Sequence, residues 1–324
     1  MQNDKLLSVE GLSINYETDS GVVRAVSNLN LSIGSAETLG IVGETGAGKT
    51  TTALGILRLI ANPGIILGGK VFFKGEDLMG YTESQMRSVR GGKIAMIFQD
   101  PMTSLNPIVT VDKQIAEMIA LHQAVSEKEA MSKALDMLEL VGIRRERGKD
   151  YPHQFSGGMK QRVVIAIALA CNPALIIADE PTTALDVTIQ AQVLKLMRDL
   201  KDQFHTSMIL ITHDLGVVAE TCDKVAIMYA GRVVEYAAME ELFDNPMHPY
   251  TLGLFGSIPD LEEEEEELKV IPGLMPDPMD LPPGCPFHPR CSIAQAECSE
   301  KEPSFREVVP GHFVACPFAK GGNS

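Results

Sequence analysis

Eight consecutive residues, Gly43-Glu44-Thr45-Gly46-Ala47-Gly48-Lys49-Thr50, fit the pattern G-x-x-x-x-G-K-[ST]. Glycines at these positions let successive backbone N–H groups turn inward around phosphate oxygens, and the start of the next helix adds a partial positive charge. Lys49 then supplies a full charge toward the β and γ phosphates of a nucleoside triphosphate, and Thr50 offers its hydroxyl to Mg²⁺. Thr51, directly behind, is counted with the loop. The context is the required one: Leu39 to Val42 reads as a buried strand and Thr51 to Ile60 as an apolar helix. A glycine-rich turn would imitate the pattern by accident on the order of once in a hundred chains of this length.

A second apolar strand, Leu175 to Ala178, runs into Asp179-Glu180. Buried strands of an open α/β sheet deliver their last residues to the carboxyl edge, where ligands bind. Asp179 would hold Mg²⁺ there, directly or through water, and Glu180 would polarise an attacking water. In isolation the pair reads as a helix N-cap and a first-turn acid; beside a phosphate loop the chemical reading gains weight. A third feature, Ser156-Gly157-Gly158, opens a strongly apolar helix 23 residues before Asp179. A serine cap and two glycines expose unpaired N–H groups, a second anion site on a different surface from Lys49.

The elements that must position these residues alternate along the chain. Ile94 to Phe98 and Met208 to Thr212 also read as buried strands, and Val187, Val193, Leu196 and Leu200 keep helical spacing between strands. Continuous apolar strands alternating with helices imply an α/β fold with a parallel sheet covered on both faces. Over the first 35 or so residues, Val22-Val23 and Leu29 to Ile33 alternate instead, suggesting an antiparallel edge layer. From Pro101 to about Pro152 the strand signal disappears and Ala130, Ala134, Leu138 and Val141 share one helix face, an inserted helical subdomain at about 101–153. Near residue 239 composition shifts again, with prolines from Pro246 and Pro249 through Pro259 to Pro282 and Pro283 and an acidic run, Glu262 to Glu267, read as a solvated face or linker. The expected division is 1–238 for the nucleotide-binding domain and 239–324 for a separate extension.

The chain's 324 residues carry 28 Lys+Arg against 43 Asp+Glu, a formal charge of −15, too acidic for a partner held by bulk positive charge, nucleic acid included. Its longest apolar run, Val163 to Cys171, is nine residues, whereas a spanning helix needs roughly 20. Met1-Gln2-Asn3-Asp4-Lys5 does not read as a secretory signal, so the chain is expected in the cytosol, where six cysteines are thiols or metal ligands rather than disulfides.

With two anion sites in one chain, the sequence resembles the ATP-binding-cassette family, whose Leu-Ser-Gly-Gly-Gln signature stands here as Phe155-Ser156-Gly157-Gly158-Met159. The resemblance implies a RecA-like phosphate-loop core with an antiparallel β-subdomain and the helical insert. It implies that the signature of one subunit closes over ATP held by the phosphate loop of the other. Further motifs follow in family order. Gln99 in Phe98-Gln99-Asp100-Pro101 matches the loop that touches Mg²⁺ and the attacking water. Thr183-Ala184-Leu185-Asp186 matches the loop crossing the dimer interface, His213 the residue contacting the γ-phosphate, and Tyr16 the aromatic on adenine. Tyr16 is also readable as an ordinary edge-strand aromatic.

Asn245-Pro246-Met247-His248-Pro249-Tyr250-Thr251 and the tail beyond resemble the extension of oligopeptide and dipeptide importer ATPases. This implies an ATPase subunit peripheral to the cytoplasmic face of the membrane, paired with a second ATPase, expected to be a paralogue. Two permease subunits and an external peptide-binding protein would complete the assembly. Related importers carry nickel or glutathione. A soluble non-transport cassette is a rival, disfavoured by the single cassette and short insert; a non-catalytic cassette is disfavoured by Glu180 and His213.

Four cysteines crowd the tail: Cys285, Cys291, Cys298 and Cys316. Four thiolates suit an iron–sulfur cluster or a tetrahedral zinc ion. Their spacing is looser than zinc knuckles, and Pro286 and Pro317 each follow a cysteine, which favours iron. The family resemblance implies a [4Fe-4S] cluster on these four positions, making this a small loop-rich metal-binding extension, with Zn²⁺ the alternative. His288 and His312 are alternative ligands nearby, although a lone histidine beside prolines is ordinarily a surface residue. Cys171 and Cys222 fall in apolar helical stretches and are expected to pack there.

Overall fold

The computed structural model describes residues 5–183, 185–257 and 271–319, with backbone only at 101 and 102. Met1 to Asp4, Ala184 of the Thr183 to Asp186 loop, Pro259 and the acidic run Glu262 to Glu267 lie outside the described residues. In chain order the elements begin β1 (Lys5–Thr18), β2 (Gly21–Gly34), β3 (Thr38–Val42), α1 (Lys49–Ile56), β4 (Gly64–Phe73), β5 (Glu76–Asp77), α2 (Glu83–Val89) and β6 (Ile94–Ile97). Next come α3 (Pro101–Ser104), α4 (Val111–His122), α5 (Glu127–Leu140), α6 (Gly157–Leu169), β7 (Leu175–Asp179), α7 (Val187–Phe204), β8 (Ser207–Ile211) and α8 (Leu215–Thr221). The chain closes with β9 (Lys224–Tyr229), β10 (Arg232–Ala238), α9 (Met239–Asp244), α10 (Pro249–Gly256), α11 (Ala296–Glu300), β11 (Arg306–Val309) and β12 (His312–Val314).

Two compact units form. One holds Asp77–Thr212 with short pieces ending at Leu6 and Thr38; the other holds Leu7–Ser32, Leu39–Glu76 and the chain from His213 onward.

In the first unit β8, β7 and β6 are neighbours in that order, all parallel, with Leu175 opposite Ser207 on one side and Ile94 on the other. Every residue of β7 and β8 is buried, which is why the sequence shows no alternation there: both faces are covered. α6 buries Val163, Val164, Ile165, Ala166 and Leu169, an all-round apolar helix, whereas α7 buries only the stripe Val193, Met197 and Leu200. β6 ends at Ile97, one residue short of the expected strand, and Phe98 is 44% exposed where the chain leaves the sheet for Gln99. In the insert α4 packs on α5, burying Ile115 and Ile119 of one and Ala130, Ala134 and Leu138 of the other, with Val141 at the C-cap. Ser126 caps α5 by accepting from the Glu129 N–H.

The second unit contains an antiparallel sheet in the order β2-β1-β4-β5, with Leu7 opposite Phe73 and Tyr16 opposite Gly64. This is the layer expected from the N-terminal alternation. The remaining strands run β11-β12-β10-β9-β3. β3 is parallel to β9, while β9, β10, β12 and β11 pair antiparallel in turn. Composition sets the stretch after residue 239 apart, yet β12 hydrogen-bonds to β10 through the pairs Glu235 with Val314 and Tyr236 with Phe313.

α1 stops four residues before the expected Ile60. Arg58 adopts φ +52, and the Leu59 and Arg58 N–H groups bond back to the Leu54 and Gly55 carbonyls. That is a Schellman closure built without the glycine that normally signals one. Among the described residues no helix is long and apolar enough to cross a membrane.

Candidate functional site

The phosphate loop starts where β3, buried at all five residues, reaches its carboxyl end. Gly48 takes φ +97 at the N-cap of α1, a conformation strained for residues with a Cβ. Lys49 is the first helical residue and is 7% exposed; its ammonium donates to the Gly43 carbonyl at 2.6 Å and to that of Glu44 at 3.1 Å. The loop is pinned further by the Ala47 N–H to Glu44 O at 3.1 Å and the Gly231 N–H to Ala47 O at 3.0 Å. Thr45, Gly46 and Thr50 remain exposed. A cationic side chain thus lies under a loop with an open outer surface, as an anion cradle requires.

The tail braces this loop. The Glu44 N–H donates to the Tyr250 hydroxyl at 3.0 Å, and the Arg290 guanidinium reaches both Glu44 carboxylate oxygens at 3.0 and 3.3 Å. Tyr229, Tyr250 and Phe287 pack behind in tilted and edge-to-face pairs with ring centroids 4.6 to 5.5 Å apart. Burial pushes both tyrosine hydroxyls above the ordinary phenol range, so each stays a neutral hydrogen-bonding group. The motif pattern gives neither Arg290 nor Tyr250 a role at the loop; the available signals were the Asn245 to Thr251 segment that contains Tyr250 and an arginine between two cysteines.

In the first unit β7 delivers Asp179, 2% exposed, to its carboxyl end. Glu180 follows with φ +45 and its N–H on Ile211 O at 2.8 Å, a left-handed conformation that non-glycine residues adopt at a cost. Its Oε2 accepts from Gln99 Nε2 and from Thr183 Oγ1, each at 2.9 Å. Gln99 lies just past β6 and Glu180 just past the adjacent β7, so parallel pairing brings the two to one edge.

Ser156 caps α6, its hydroxyl accepting from the Met159 N–H at 3.4 Å. Phe155 before it is buried under the Arg147 guanidinium, 4.3 Å from the ring centroid. A Cβ on Gly158 would stand 2.5 Å from Ile189 Cγ2 of α7, so close helix packing demands glycine there, while Ser156 and Gly157 are exposed. Asp186 caps α7 through the Ile189 N–H at 3.0 Å.

In the second unit Tyr16 is half-buried on β1 against Gly64, whose Cβ position would lie 2.8 Å from its ring. His213 is exposed just ahead of Asp214, the N-cap of α8. Cys171 is half-buried just past the end of α6, and Cys222 at the end of α8 is buried, its thiol pushed up to about 12 by desolvation and then by Asp223.

Cys285, Cys291, Cys298 and Cys316 line one cavity of about 80 Å³. Burial, and after it the charge of neighbouring thiolates, pushes the thiols of Cys285, Cys291 and Cys316 up. Among the described residues no three His, Cys, Asp or Glu side chains converge closely enough to hold a single metal ion. His288 lines the same cavity, its Nδ1 2.9 Å from the Cys285 carbonyl. His312 is not the surface residue expected: it is fully buried, with Nε2 2.7 Å from Glu235 Oε1, because a hydrogen-bonded carboxylate offsets the cost of burying the ring.

Comparison with known proteins agrees with this geometry. Residues 26–183 match the family model described as ABC transporter, and residues 234–298 match that described as oligopeptide/dipeptide transporter, C-terminal region. The probable peptide ABC transporter ATP-binding protein y4tR of Sinorhizobium fredii is 53% identical over 317 residues, 97% of this chain and 95% of the relative. The oligopeptide transport ATP-binding protein OppD of Escherichia coli is 49% identical over 97% of this chain and 94% of its own length. A dimeric post-hydrolysis structure of the ATP-binding cassette MJ0796 bound to ADP and Pi superposes with a TM-score of 0.65 at 26% identity, covering 72% of this chain and 98% of that one. The chain belongs to the ATP-binding-cassette transporter family. Its C-terminal region is that of the oligopeptide and dipeptide branch.

Proposed function

We infer that this chain is the ATP-hydrolysing subunit of an importer for di- and oligopeptides. One observation carries the reading: the Glu180 carboxylate stands at the end of β7 oriented by Gln99 and Thr183, in a chain similar over 97% of its length to peptide-transport ATP-binding proteins.

Gly43 through Thr51 cradle the triphosphate, with Lys49 toward the β and γ phosphates. Thr50, Gln99 and Asp179 offer oxygen ligands, the type a hard divalent cation such as Mg²⁺ demands. Glu180 orients a water whose oxygen bonds to the γ phosphorus as the bond to the β–γ bridging oxygen breaks. ADP departs, and the water's proton passes by way of Glu180. His213 contacts the γ-phosphate and Tyr16 stacks on adenine. Ser156, Gly157 and Gly158 serve the ATP held by a second ATPase subunit, a paralogue, so that binding closes the pair and hydrolysis reopens it. Two permease subunits turn closure into alternating access for peptides delivered by an external binding protein, and the chain docks peripherally on the cytoplasmic face of the membrane.

The four tail cysteines are assigned to a [4Fe-4S] cluster. They line one cavity, and a [4Fe-4S] cluster takes four cysteine thiolates. A bound cluster would supply positive charge to buried thiols and cross-link the tail. Iron and acid-labile sulfide assayed in anaerobically purified protein should each approach about four per chain; zinc alone would overturn the assignment.

The transport reading is tested with the assembled transporter in lipid vesicles. ATP turnover should rise when its binding protein is supplied with peptide and vanish with Glu180→Gln. Stimulation by nickel or glutathione but not peptide would reassign the cargo.

A further inference from the structure

Glu44 is an odd residue for its place. It is the second residue of a loop read as a triphosphate cradle, and an uncompensated carboxylate there would repel the ligand. The chain compensates from 246 residues away. Arg290 bonds both Glu44 oxygens through Nη1 and is itself nearly buried, its side chain 7% exposed against 32% for Glu44.

Arg290 is aimed as well as charged. Its Nε donates to the Pro272 carbonyl at 2.9 Å, Nη1 lies 3.4 Å from the Tyr229 hydroxyl, and the guanidinium sits 5.8 Å from the Tyr229 ring centroid. Its backbone belongs to the short 3₁₀ turn His288–Arg290, tied by the Arg290 N–H to Phe287 O at 3.0 Å, between Cys285 and Cys291. Fixed at both ends, the side chain has little freedom left to lose, and a buried arginine opposite a half-exposed carboxylate is the geometry in which an ion pair holds direction.

We propose that Arg290 is a positioning residue of the nucleotide site: it neutralises Glu44 and holds that carboxylate on the tail side, so the tail sets how tightly the phosphate loop takes a nucleoside triphosphate. The inference rests on the loop being the ATP site, and it adds a control on affinity exerted by a segment outside the loop. Lys49, bonded to the Gly43 and Glu44 carbonyls, is then spared competition from the Glu44 carboxylate. An Arg290 chain removed would leave Glu44 free to swing toward the ammonium.

The test measures dissociation constants for Mg-ATP and Mg-ADP on the full chain, with thermal melting as the check on folding. Arg290→Ala should weaken Mg-ATP binding about ten-fold, equivalent to about 1.4 kcal/mol, and the loss should shrink as salt is raised. Adding Glu44→Gln to Arg290→Ala should restore affinity to within about three-fold of wild type, and Arg290→Lys should keep most of it. Glu44→Gln alone should bind Mg-ATP at least as tightly as wild type, which holds the proposal to account even if Arg290→Ala fails to fold. Wild-type affinity in Arg290→Ala, no recovery in the double variant, or a weaker Glu44→Gln would each overturn it. Wild-type protein with no nucleotide affinity would instead strike the underlying ATP reading.

Discussion

Gln99 Nε2 donates to Glu180 Oε2 at 2.9 Å across 81 residues of sequence. Thr183 Oγ1 donates to the same oxygen at the same distance, so two side chains from different loops fix where this carboxylate points. Its backbone is held at φ +45, and residues kept in sparsely populated conformations cluster where orientation serves chemistry.

Glu180→Gln keeps size and hydrogen-bonding capacity but removes the base. Nucleotide binding should survive while ATP turnover falls by about 10²–10⁴-fold, read by phosphate release beside a binding titration. Undiminished turnover would remove Glu180 from the chemistry.

Lys49→Ala removes the buried cation beneath the phosphate loop. A charged hydrogen bond contributes about 1.5–3 kcal/mol, so Mg-ATP affinity should drop at least ten-fold with little change in melting temperature. An unaltered dissociation constant would place the triphosphate elsewhere.

Gly158→Ala tests packing under the serine-capped helix. The new methyl would stand 2.5 Å from Ile189 Cγ2, and overpacking of this kind costs about 1–3 kcal/mol. Chemical unfolding should show that loss, whereas Gly157→Ala, with its nearest neighbour Leu185 Cδ2 at 3.5 Å, should be milder. Equal effects would contradict the tight α6–α7 contact.

The tail's attachment should depend on pH through His312. Burial opposes charging this ring, but the hydrogen bonds and charges of Glu235 and, after it, Glu241 together outweigh burial and raise its pKa above 6.5. A raised folded-state value means the stabilisation is complete below about 6.5 and is lost as pH climbs through the folded value. The difference in unfolding free energy between wild type and His312→Gln should therefore be larger at pH 6 than at pH 9, reaching about 3–5 kcal/mol. His248 works oppositely: burial lowers it to about 4, so it erodes stability as pH falls from 6.5 toward that value. A pH-independent difference for His312→Gln would take charge out of the account.

Much of this molecule is legible in its residues. β3, β7 and β8 are uninterrupted apolar runs because covered parallel strands need no polar face, and the phosphate loop and the Asp179-Glu180 pair sit where such strands end. The helical insert announced itself through the shared face of Ala130, Ala134 and Leu138. Short-range chemistry of this sort is written locally, since spacing along one element sets which face a residue occupies.

What only the tertiary structure decided is long-range. Glu44 with Arg290, Glu235 with His312, and the pairing of β12 onto β10 join stretches far apart in sequence. No periodicity encodes such partners, because a charge or a strand edge specifies the kind of partner it needs and not where along the chain that partner lies. The tail that composition sets apart is drawn onto the phosphate loop for that reason: burying Arg290 and His312 is tolerable only where a carboxylate already waits.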